Sequence, residues 1–251
     1  MKVTIFKRNP AKAKAAQGHF KQALALFKKA GKGIKGESKE EMERRATEMN
    51  YAAAASAFYQ AEEDFEGFLD VKFPKDLDFS DKNKKKKEKS QKEFGKYLDE
   101  KGKKLKKASD AYENVIKMRV AHWAIAAAAR IGQLYQNFAD ALYTAPVPKP
   151  PIPPSLTRKE DQEDFVAAFT DSYCDALEDK AAPLDKKAEE GLAICLSKST
   201  ELSWYNEWSK LCEAELNQIK PAEYPLASEI RAEPGYVSFK PDRADLITDV
   251  K

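Results

Sequence analysis

The sequence predicts an all-α chain, built as an elongated helical-hairpin solenoid. A phrase of small and aromatic residues keeps returning at helical spacing: Ala52–Ala57 leads into Phe58 and Tyr59, Ala108 precedes Ala111 and Tyr112, and Ala124–Ala129 leads into Ile131, Gly132 and Tyr135. A small residue with a ring three or four positions on lets two helices approach closely while the ring fills the groove between them. No stretch alternates apolar and polar residues as a half-buried strand would. With only 10 glycines, the chain also lacks the turn density of a β fold. Repeated helix pairs stack most economically into a continuous surface.

The elements follow in order. Residues 11–30 carry Phe20, Leu24 and Phe27 on one helical face. Gly31 and Gly36 have the separation of a phosphate-binding loop, but Glu37 stands where that motif needs lysine and no hydrophobic strand precedes it. Ser38 and Glu41 instead form a capping box for a second helix, 38–71, which Pro74 stops. Its face is Met42, Ala46, Met49, Ala53, Ala57, Ala61 and Phe65, and its length is roughly 50 Å. A third helix ends on the stripe Leu105, Ala108, Ala111, Tyr112 and Val115.

Residues 121–143 are the strongest helix, apolar on a broad face. The loop 145–155 holds six of the 13 prolines and cannot be helical. Helices of the same style resume after it, so it reads as a stiff loop inside the solenoid. Thr157 and Glu160 are placed to cap the helix 161–180, and Pro183 to open another, reaching Lys198. A last helix, 202–219, carries Trp204, Trp208, Leu211 and Cys212. The expectation is about seven helices in one solenoid over residues 1–220. An extended tail, 221–251, would dock in part through Tyr224–Leu226 and Tyr236–Phe239.

Charge is abundant, 34% of residues, yet the net is only +3. Residues 81–107 hold 13 lysines against five acids, a local excess of +8. Lys84, Lys85, Lys86 and Lys87 are the candidate contacts for an anionic partner: nucleic acid, lipid head groups or wall polymer. The block has no arginine forks and few aromatic platforms, so nucleic acid is the weaker option and a solvated helix face the plainer reading. No apolar run reaches the length of about 20 residues that a membrane span needs, so membrane contact is at most peripheral.

Cys174, Cys195 and Cys212 are odd in number and lie on apolar helical faces. Buried free thiols are the plain reading. A bridge between Cys174 and Cys195 across a helix break at Pro183 is the sharper one. No Cys-x-x-Cys is present, and His19 and His122 stand far apart, so neither a metal nor a cofactor is expected. Carboxylates such as Glu62, Glu63 and Asp64 read as helix-surface positions without convergent partners. Nothing in the sequence forms a nucleophile–base pair or complete phosphate loop, so the chain is expected not to be an enzyme.

Ile131, Gly132 and Tyr135, with Ala128 one turn before, resemble the centre of a tetratricopeptide repeat's first helix, and these four are the expected repeat-packing residues. The partner half is missing, since Thr144, Ala145 and Pro146 stand where its second helix would run. A longer likeness joins Ala108–Ile116, Ala129–Phe138, Ala145–Pro148, Tyr205–Trp208 and Pro221–Pro225. Together they resemble the C-terminal part of large tetratricopeptide-repeat proteins of predatory and gliding deltaproteobacteria, some of which work in the cell envelope with the gliding-motility apparatus. The resemblance implies a protein-interaction scaffold with no catalytic residues, and a fragment of a longer chain whose partners belong to an envelope complex. It implies a periplasmic or envelope-associated location, with a cytoplasmic one as the alternative.

Overall fold

The computed structural model describes residues 9–29, 35–79 and 84–226. Among the described residues there are six helices: α1 (Pro10–Lys29), α2 (Lys39–Leu69), α3 (Lys84–Lys117), α4 (Ala121–Tyr143), α5 (Lys159–Glu201) and α6 (Glu207–Ile219). The described residues contain no strand, only an isolated parallel bridge between Asp78 and Lys149. The all-α class therefore stands.

Each helix packs on the next in sequence, and α2 and α6 both also reach α4. Directions follow from the pairs in contact. Asp64 meets Lys107, and Phe68 meets Lys101, so α2 and α3 run antiparallel. Phe58 meets Trp123 while Glu62 meets Arg130, so α2 and α4 run parallel. His122 meets Asn206 and Gln136 meets Glu215, which sets α6 parallel to α4.

α4 is therefore the centre. Its alanine run suits that place, because Ala126, Ala127 and Ala129 are fully buried and let neighbours approach from several sides. One core draws on α2, α3, α4 and the middle of α5, around Phe58, Phe68, Tyr112, Leu134 and Leu142. A second joins Ile125 and Ala129 of α4 to Leu192 of α5 and Leu216 of α6. α1 is attached differently. It buries no residue fully and rests on α2 through the stacked rings of Phe20 and Tyr59, 5.6 Å apart.

The Ser38–Glu41 capping box is present in both directions. Several expectations need correction. Pro183 does not divide two helices; it lies inside α5, which runs 43 residues without a break. The burial stripe Leu177, Ala181, Ala188, Leu192 and Cys195 keeps one helical phase across it. Pro183 itself is exposed, so water can satisfy the carbonyl that loses its helical donor. Thr157 caps nothing: Arg158 is the N-cap of α5 and pairs with Asp161 at 2.8 Å. The last helix starts at Glu207 rather than 202, because Asn206 and Ser209 form a capping box there.

The expected bridge is also corrected. Cys195 is joined to Cys212, and Cys174 is free and exposed. With α5 continuous, Cys174 and Cys195 lie roughly 30 Å apart along one helix, out of reach of each other. Cys195 and Cys212 sit instead on facing sides of the antiparallel pair α5 and α6, with Cα atoms 6.4 Å apart. In the tail, Tyr224 packs on the second core and its carbonyl accepts from Asn217. The stretch Tyr236–Phe239 lies outside the described residues.

Candidate functional site

The four residues expected to pack repeats sit at the α4–α5 crossing. A Cβ added to Gly132 would lie 2.6 Å from Leu192 Cγ, and one added to Gly191 would lie 3.0 Å from the Gly132 nitrogen. The two backbones meet through this glycine pair. Ala128 enters the second core beside Leu192 and Cys195, while Ile131 and Tyr135 lie half-buried against the first. All four are packing residues, not a binding surface.

The lysine block divides between surface and interior. Lys86 reaches Asp78 at 3.3 Å, and Lys87 is also engaged within the protein. Lys84 and Lys85 are exposed. Four consecutive helical residues fan around the axis, so these lysines do not form a single charged face. Further along, the lysines close the C-terminal end of α2. Lys101, 2% exposed, donates to the carbonyls of Phe68 and Val71 and to Asn137 Oδ1, at 2.9, 3.2 and 3.1 Å. Lys104 donates to the Gly67 carbonyl and Lys72 to that of Leu69. Cations belong at this end of a helix, where the orphan carbonyls carry the negative pole. Burial, with Lys72 and Lys104 close by, pulls the Lys101 ammonium down to about 7. The composition of the block hid this interior role.

Glu62 corrects another expectation. It is buried rather than on the surface, and Arg130 holds both its oxygens, at 2.8 and 2.9 Å. The Tyr112 hydroxyl donates to the same carboxylate, and Arg130 also donates to Gln133. Arg130 lies over the rings of Phe65 and Trp208. Burial first, and then Glu62, raises the Tyr112 phenol well above its usual value. Every strong donor and acceptor here faces a partner, so the cluster fixes the relative position of α2, α3, α4 and α6. It offers no open face to a reactant.

An open face exists at one end of the bundle. A cleft of about 330 Å³ lies between α2, the α3–α4 turn and the α5–α6 turn. Tyr51, His122 and Trp204 supply its rings, and Met118 and Val120 its aliphatic wall. Thr47 and Asn50 are polar lining groups, and Arg119 is its charged one. Tyr51 and Trp204 are 45% and 48% exposed, and Tyr205, next in sequence, 65%. Trp123 lies against the His122 and Tyr51 rings, with centroids 4.6 and 5.6 Å away. Its buried indole N–H has no hydrogen-bond partner.

Asn206 Oδ1 accepts from the amides of Trp208 and Ser209, so its Nδ2 faces His122 Nδ1 at 3.1 Å as a donor. His122 Nδ1 must then accept, which places the proton of the neutral ring on Nε2. Both turns that wall the cleft contain a non-glycine residue in the left-handed region, Arg119 at φ 58° and Ser203 at φ 50°. For L residues this region costs roughly 1–2 kcal/mol. Sequence reasoning passed over Tyr51, Arg119 and Trp204 as a group. The available signals were a bulky cation in a very short helix connection and a Trp-Tyr pair just ahead of a capped helix.

Among the described residues no group of three or more His, Cys, Asp or Glu is placed to hold a metal ion, and no helix is long and apolar enough to cross a membrane. Compared with protein-family models, with curated proteins and with solved structures, the chain finds no match.

Proposed function

We propose that the chain is a non-enzymatic scaffold that holds protein partners in a cell-envelope assembly, built as a divergent tetratricopeptide-like solenoid. The observation that carries this reading is the aromatic end, where Tyr51, Trp204 and Tyr205 expose their rings around a cleft on a frame held by buried polar pins. Exposed rings on a fixed frame are the material of interface hot spots, since they bury much area while losing little side-chain freedom. The packing of each helix on its successor supports a solenoid. The Cys195–Cys212 bond supports an oxidising compartment such as the periplasm. A gliding-motility role rests on the family resemblance alone.

The test is site-specific photo-cross-linking in the cells that make the protein. A cross-linking amino acid at Tyr51 or Trp204 is expected to capture discrete envelope polypeptides, and one at Lys92 or Lys96 on α3 is not. No capture from either aromatic position, or equal capture from all four, would overturn the reading.

A further inference from the structure

We propose that the cleft between Tyr51, Arg119 and Trp204 recognises an acidic segment of a partner polypeptide, one that presents an aromatic side chain beside a carboxylate. The inference rests on the scaffold reading above and names the chemistry of its partner.

Size sets the first limit. A volume of about 330 Å³ is at the lower end of ligand pockets and suits one or two side chains rather than a folded surface. The lining sets the second. Three rings and the Met118 thioether offer an apolar, adaptable wall that an inserted aromatic ring can face edge-on or offset. Charge sets the third: the lining residues include one cation, Arg119, and no carboxylate. A guanidinium is a planar fork that pairs with a carboxylate through two parallel bonds. His122, whose Nδ1 accepts from Asn206, keeps its Nε2 as a ring N–H donor among the lining residues.

Arg119 has no ion pair among the described residues and sits in backbone that glycine would adopt without strain. The fold therefore gains nothing visible from an arginine at this position, whereas an anionic ligand would. Trp204 has the same character, being half exposed in a turn where a small polar residue would serve.

The probes are the tetrapeptide Ac-Gly-Glu-Phe-Gly-NH2, its glutamine and alanine counterparts at the acidic and aromatic positions, and free phenylpropionate. The readout is the ¹H–¹⁵N spectrum of the full chain, followed at the amides of Arg119, Ala121 and His122 and at the Trp204 indole. The acidic aromatic peptide is expected to shift these signals saturably. The glutamine counterpart should bind about tenfold more weakly, the change that loss of one charged hydrogen-bonded contact produces, and the alanine counterpart about tenfold more weakly through loss of the inserted ring. Arg119→Gly should lower the affinity about tenfold while leaving the melting temperature unchanged or higher, since it removes the strain along with the cation.

Equal binding of the glutamine peptide, undiminished binding by Arg119→Gly, or phenylpropionate binding as tightly as the peptide would each overturn the assignment. The two readings fail separately. Cleft signals that stay unmoved, with cross-links from Trp204 intact, would end this inference and leave the scaffold standing. Loss of the cross-links would end the scaffold itself.

Discussion

Lys101 shows how a single buried residue makes stability depend on pH. Its ammonium titrates at about 7 in the folded chain and at its ordinary 10.5 when unfolded. Between those values the unfolded chain binds a proton that the folded chain does not, so Lys101 adds stability as pH rises from 7 to 10.5. That contribution is lost again as pH falls from 10.5 to 7. The urea midpoint should climb across the window in the wild-type chain, and the climb should be missing in Lys101→Met. Glu62 and Arg130 make the contrasting case. Removing either partner leaves a buried charge unpaired, which costs about 3–5 kcal/mol. Glu62→Gln and Arg130→Met should each lower stability by that order in urea titrations. The double variant should cost clearly less than their sum, because both charges leave together. Tyr112→Phe should cost about 1.5–3 kcal/mol, the worth of a hydrogen bond to a charged group. An additive double variant would show that the two side chains do not act as a pair.

At the scale of elements, the α4–α5 crossing and the α5–α6 bond decide how the bundle closes. Gly132→Ala would drive a methyl against Leu192, and the crowded crossing should lose about 1–3 kcal/mol. Gly18→Ala, in α1 where nothing lies within 4 Å, should instead gain about 0.5–1 kcal/mol from helix propensity. Thermal melts of the two variants should move in opposite directions, and a neutral Gly132→Ala would mean that the crossing is not close. The bond between Cys195 and Cys212 closes a loop with a sequence separation of 17, worth about 3 kcal/mol by loop entropy. For a chain of this size that is a drop of roughly 6–12 °C on reduction. Cys174→Ser, at an exposed free thiol, should leave the melting temperature within about 2 °C because surface changes are small. Intact mass after alkylation should show one reactive thiol under oxidising conditions and three after reduction.

For the whole molecule, what could be read in the sequence was set by range. Helix existence was legible, because the repeat of small and aromatic residues and the Ser38–Glu41 box are local facts about one chain segment. Helix length was less so. Pro183 read as a break, although the stripe from Leu177 to Cys195 holds its phase across it. A proline costs a helix one hydrogen bond, and packing of the continuous stripe on α4 and α6 outweighs that when the freed carbonyl faces water. The cysteine partner followed from this error, since a continuous α5 separates Cys174 from Cys195 and turns Cys195 towards α6.

The sequence by itself determined that this chain is helical, where α1, α2 and α4 begin, and that Gly132 and its neighbours form a close-packed face. Those properties depend on residues within a few turns of one another, where periodicity, capping and propensity act. Only the tertiary structure decided that Glu62 is buried with Arg130, that Lys101 closes the end of α2, that Cys195 pairs with Cys212, and that Tyr51, Arg119 and Trp204 share a cleft. Each of those joins residues 17 or more positions apart. A charge or a ring on one helix has the same local pattern whether it meets water or a partner. The meeting is fixed by how α4 gathers the other helices around it.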